Sequence, residues 1–179
     1  MTSPTVLYTH LLKRLVLDRQ TTEDLGRVGR VWIDFSIHKI VGLECKPTGP
    51  LGKFQRRGLA WSQLLAVGDD SLLVDGQSLD SGFQRPETCE ILDRQEVWTD
   101  AGNRAGLISD CEIATDTGAI QRYLYRSSGW RGRLDGTYAL PPTAIVSGGS
   151  KRLVVRETAL ATPEVYEPGL VQRLSLIHI

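Results

Sequence analysis

Leu25-Gly26-Arg27-Val28-Gly29-Arg30-Val31-Trp32-Ile33-Asp34 is the stretch on which the fold turns. Its Val, Ile and Trp residues read as a strand, and its glycines as turn positions. Eighty residues on, Gly106, Ile108 and Ile113 fall on Gly26, Val28 and Ile33. The same ungapped shift puts Ile120 on Ile40, Gly129 and Gly132 on Gly49 and Gly52, and Gly148 on Gly68. It also puts Leu153-Val154 on Leu73-Val74. The identities fall on glycines and branched aliphatics, the residue types that turns and inward-facing strand positions constrain most. A self-match of this kind marks a duplicated supersecondary unit.

Between the matches the chain reads as β. Arg27 to Ile33 and Lys39 to Cys45 are strands, with His38 in the turn between them and Gly118 in the equivalent turn. Period two places Val41, Leu43 and Cys45 on one face, and Gln121, Tyr123 and Tyr125 on its counterpart. Gly68-Asp69-Asp70 and Gly148-Gly149-Ser150 are turns before the short strands Ser71 to Asp75 and Arg152 to Arg156. Pro50 to Arg57 and Trp130 to Leu134 read as loops, and a short helical turn is expected over Trp61 to Ala66. Gly76 to Glu90, with Gly76, Ser78, Ser81, Gly82 and Pro86, has the composition of a connector. The expectation is an all-β chain of two tandem small β-barrels with minor helical turns. They span residues 8–80 and 88–158, followed by an irregular tail over 159–179. Leu174-Ser175-Leu176-Ile177-His178-Ile179 resembles a translated sequencing adapter rather than a native tail.

Lys+Arg and Asp+Glu both number 21, and a neutral chain lacks the basic excess of a general nucleic-acid binder. Cys45, Cys89 and Cys111 are odd in number and far apart, which suits free thiols rather than a disulfide framework or a zinc site. The apolar run Leu11 to Leu17 is broken by Lys13 and Arg14, so neither a signal peptide nor a spanning helix is expected there.

The run Val16-Leu17-Asp18, followed by Leu25 to Asp34, resembles the opening of the PRC-barrel domain. Val67-Gly68-Asp69-Asp70-Ser71-Leu72-Leu73-Val74 resembles its closing motif, and the second copy repeats both less closely. The form Gly26 to Asp34 followed by His38 is similar to the tandem PRC-barrel proteins of cyanobacteria. The family includes the cytoplasmic part of the photosynthetic reaction-centre H subunit and the C-terminal domain of the ribosome maturation factor RimM. The resemblance implies two PRC-type barrels acting as a non-catalytic adaptor. Its partner would be a protein, in a photosynthetic complex at a membrane surface. The chain would then be cytoplasmic and peripheral to the membrane through that partner. The alternative is a RimM-like factor tied to RNA or the ribosome. RimM, however, joins a different N-terminal barrel to a single PRC barrel, whereas here the first half repeats the second.

No catalytic, cofactor-binding or metal-ligating constellation is read from the sequence. His10, His38 and His178 fall near a terminus, in a turn and in the tail, with no nucleophile and orienting group in pattern. Gly26-Arg27-Val28-Gly29 has the spacing of a KH-domain clamp, but its flanks are β-like rather than helical. Asp69-Asp70 is turn chemistry. The candidate interaction residues are Lys53, Phe54, Arg56, Arg57 and Trp61, with Trp130, Arg131 and Arg133 in the second copy. Lys53, Arg56 and Arg57 have no acidic residue among them, and exposed Arg beside aromatics is the usual anchor chemistry of interfaces. Asp135 and Tyr138 belong to the second loop, and the aspartate weakens its field. The first loop is therefore expected to dominate the docking of an acidic protein partner.

Overall fold

The computed structural model of the chain describes residues 3–48, 56–128 and 136–168. The chain is all-β, with a sheet curled into a half-barrel and a second sheet. It forms two compact units: Met1–Ile91 with Ile113–Ala119, and Leu92–Glu112 with Ile120–Ile179. No helix among the described residues is long and apolar enough to cross a membrane.

The first unit opens with β1 (Thr5–Leu7) and a helical turn α1 (Tyr8–Leu11). Its sheet is built from β2 (Leu15–Asp18), β3 (Asp24–Asp34), β4 (Lys39–Lys46), β5 (Arg57–Ala60), β6 (Leu64–Val67) and β7 (Ser71–Val74). They lie in the order β5-β4-β3-β2-β7-β6. The second unit's sheet is built from β8 (Glu96–Thr99), β9 (Arg104–Ala114), β10 (Ile120–Ser127), β11 (Gly136–Leu140), β12 (Ile145–Gly148) and β13 (Arg152–Val155). Their order is β11-β10-β9-β8-β13-β12, so both units carry one topology, including its parallel pair β2–β7 or β8–β13. The helical turn α2 (Glu157–Leu160) leads to β14 (Glu164–Pro168), which adds to the edge at β11. A helical turn and a strand thus occupy part of the segment that reads as an irregular tail.

The repeat register is 80 only in the central strands. Val28 with Ile108 and Ile33 with Ile113 match at 80, and all four are buried. The parallel pair Val16↔Leu72 corresponds to Val97↔Leu153, an offset of 81, and the turn bond Gly68 N to Ser71 O corresponds to Gly149 N to Arg152 O. Leu153 therefore matches Leu72, not Leu73. Leu72 and Val74 are buried, as are Leu153 and Val155, while Leu73 is half-buried. The expected core position at Leu73 is corrected by one residue, which on a period-two strand means the opposite face. Ile33, Ile40, Ile113, Ile120 and Leu153 do lie in the cores.

Bulges explain a second departure from simple alternation. Trp32 pairs with Gly42 and Ile33 with Ile40, so Val41 is an extra residue in β4. Two residues facing one shift the alternation. Ile40, Leu43 and Cys45 are consequently buried while Val41 is half-buried. The counterpart strand β10 has Ile120, Tyr123 and Tyr125 buried and Gln121 exposed. In β3, Gly29 is the extra residue, which lets Val28 and Val31 both point inward.

Trp32 lies on the other face of β3 and is also buried, because the segment read as a connector lies over it. Gly76–Asp80 forms a 3-10 turn that buries Leu79. Phe83 then stacks on Trp32 with ring centroids 6.0 Å apart. Glu90 closes two backbone hydrogen bonds with Ile33, of 2.7 and 2.8 Å. A Cβ on Gly42 would collide with the Phe83 ring, and one on Gly58 with the Phe83 carbonyl. The equivalent positions in the second unit hold Glu112, Arg122, Ala139 and Glu164. Arg122 there makes 2.8 and 3.0 Å hydrogen bonds to the Glu112 carboxylate and one of 2.7 Å to Glu164. Its guanidinium also lies 5.2 Å from the Tyr166 ring centroid. One backbone layout thus carries an apolar strap in the first unit and an ionic one in the second.

Candidate docking cleft

The β3–β4 turn is built by Asp34. Its Oδ1 accepts from the Ser36 amide at 2.9 Å and from the Ser36 hydroxyl at 2.5 Å. These bonds, the hydroxyl first, hold the Asp34 carboxyl below its ordinary range. His38 completes the turn at φ 51°, and partial burial lowers its pKa despite the Asp34 charge. Ile37 sits at the tip, 60% exposed.

A second turn, residues 114–118, docks beside it within the first unit. The Ile40 amide donates to the Gly118 carbonyl at 2.8 Å, and Lys39 pairs with Ala119. Thr115 is tied to the Pro4 carbonyl through its amide, 3.0 Å, and its hydroxyl, 3.1 Å. The Ser3 hydroxyl donates to Asp116 at 2.9 Å. Gly118 adopts φ 76°, and a Cβ there would meet the Ile40 carbonyl and the Trp61 indole.

Between the turns lies a cleft of about 350 Å³. The buried Ile40 and Trp61 lie beside Val41 and Ile37, and Lys39, Ser62, Asp116 and Thr117 supply polar groups. The volume is at the small end of ligand sites, roughly 300–1,000 Å³. It suits one or two inserted side chains, with a cation and an anion at the rim to orient the incoming chain.

The residues singled out in the sequence fall in different places. Lys53, Phe54, Trp130, Arg131 and Arg133 lie outside the described residues. Trp61 is buried rather than exposed, in the 3-10 turn Trp61–Gln63, and lines the cleft. The Gln63 side-chain oxygen fixes that turn by accepting from the Ala60 amide at 2.9 Å. Arg56 pairs with Glu44 at 3.4 Å and Arg57 with Asp80 at 2.6 Å, so these two cations are neutralised by partners remote in sequence. Arg57 lines a different hollow, of about 250 Å³, with Asp24, Cys45 and Thr48. Its Cys45 thiol is pushed by burial up to about 11, far from a reactive thiolate. Tyr138 stacks on Tyr125, centroids 5.6 Å apart. Among the described residues, no group of three His, Cys, Asp or Glu side chains is placed to hold a metal ion.

Ile37 was not singled out in the sequence. The available signal was an isoleucine in a Ser-His turn, where small and polar residues dominate. No family model matches the chain, and no curated protein matches it.

Proposed function

We propose that this chain is a non-catalytic docking module of two PRC-type units, whose first unit takes an apolar side chain of a protein partner into the cleft beside Ile37. The observation that carries this reading is Ile37 itself. A large aliphatic side chain stands in solvent on a hydrogen-bonded turn, next to an opening bounded by Ile40 and Trp61. Burying Ile37 against a partner is favourable by the hydrophobic effect, and the preformed turn limits the entropy lost on binding. The resemblance to PRC barrels adds a photosynthetic complex at a membrane surface as the first place to seek that partner.

The experiment is crosslinking and capture from the source cell, comparing the natural chain with Ile37→Asp. The exposed position predicts a change in stability of within about 0.5 kcal/mol. Loss of a specific protein partner with Ile37→Asp is the expected result. Full recovery of that partner with the folded variant overturns the cleft reading. Partners that vanish on nuclease treatment point instead to the RNA-linked alternative.

A further inference from the structure

We propose that the outer face of β8, β9 and β13 in the second unit is a separate docking surface for an acidic segment of a partner protein. Arg104 from β9 and Arg152 from β13 flank the central strand and converge on its Glu96 and Trp98. Glu96 Oε1 lies 3.3 Å from Arg104 Nη2. Its Oε2 accepts from Arg152 Nε at 3.1 Å and from the Trp98 indole at 3.0 Å. The Arg152 guanidinium carbon lies 5.8 Å from the Trp98 ring centroid. The two arginine side chains are 49% and 59% exposed.

Two guanidinia share one carboxylate, which leaves one positive charge in excess. A guanidinium carries five N–H donors in a planar fork, so donors remain to engage a further carboxylate. Tryptophan and arginine together are the side chains that dominate interface energetics.

Comparison of the units shows that the fold does not require this cluster. The same strand positions in the first unit hold Leu15, Leu17, Asp24 and Ser71, paired in the same register. The arginines and the tryptophan belong to one copy alone. A nucleic acid is the poorer occupant, because the chain balances 21 basic against 21 acidic residues and this surface offers two arginines rather than a basic stripe. The surface is independent of the Ile37 cleft, since its variants lie in the other unit.

The test is fluorescence anisotropy on the full chain at low salt with labelled octaglutamate, and octathymidylate as comparator. Octaglutamate should bind more tightly than octathymidylate and weaken as salt rises. Arg104→Gln with Arg152→Gln should weaken octaglutamate binding about tenfold. Glu96→Gln should tighten it, because the competing carboxylate is gone. The proposal falls if the natural chain does not bind octaglutamate, if the folded double variant binds it equally well, or if octathymidylate binds more tightly. Should the double variant fail to fold, Glu96→Gln decides alone, and unchanged or weaker binding overturns the proposal.

Discussion

At the scale of single residues, the three cysteines behave as small core side chains. Cys45, Cys89 and Cys111 are all buried, and burial raises each thiol above its ordinary value of 9.0. At pH 8 the folded chain should therefore resist iodoacetamide, and mass spectrometry should find three modified thiols only after unfolding. Fast labelling of the folded protein would contradict the burial. The same shift carries a pH dependence. The fold favours the protonated Cys45 thiol, so that stability is fully present below about pH 9, the unfolded value, and is lost as pH rises through about 11. Urea midpoints should fall over that window, and Cys45→Ala should shrink the fall. The arginines show where reading residue by residue stops. Arg56 and Arg57 look unneutralised within their own loop, yet their carboxylates stand 12 and 23 positions away. Strand pairing and the strap bring them together, and neither lies within a local window.

At the scale of elements, the strand pattern was legible and its phase was not. The Gly-rich starts, the aliphatic runs and the turns at His38 and Gly118 follow from local preferences. The bulges at Gly29 and Val41 do not, because an extra residue in one strand is defined only against its partner. The shift in the closing strands gives a direct check. Leu72→Ala should cost about 2–5 kcal/mol by emptying a fully buried site. Leu73→Ala should cost well under that, by chemical denaturation. Equal costs would restore the uniform 80-residue register. The straps are a second element that local composition misreads. Gly, Ser and Pro between 76 and 90 suggest a connector, but Phe83 on Trp32 fastens it to the sheet. Phe83→Ala should destabilise the first unit by about 1–3 kcal/mol and open residues 76–90 to limited proteolysis. Glu164→Gln, which breaks one partly exposed ion pair of the second strap, should cost under about 1 kcal/mol.

At the scale of the whole molecule, sequence copies and compact units do not coincide. The turn after β9 belongs to the second copy in sequence but to the first unit in space. Gly118→Ala forces a side chain into a left-handed backbone position and against the Ile40 carbonyl, at a cost of about 1–3 kcal/mol. Hydrogen exchange should report the loss at β3 and β4, in the first unit, rather than at β8 and β13. A loss confined to the second unit would show that the turn belongs there. The cleft depends on the same arrangement, since Asp116 and Thr117 come from one hairpin and Ile37 and Lys39 from the other.

The sequence by itself determined that the chain is β, that it is duplicated, and where its central strands and turns fall. Those properties reside in residue type and short-range period, which one chain displays in full. Only the tertiary structure decided which arginines are neutralised, that Trp61 is buried in a cleft wall, and that Phe83 and Glu164 do the same task with different chemistry. It also decided which turn completes the first unit. Each of these depends on pairs of residues brought together across strands, and a one-residue change of register exchanges the two faces of a strand while leaving its composition untouched.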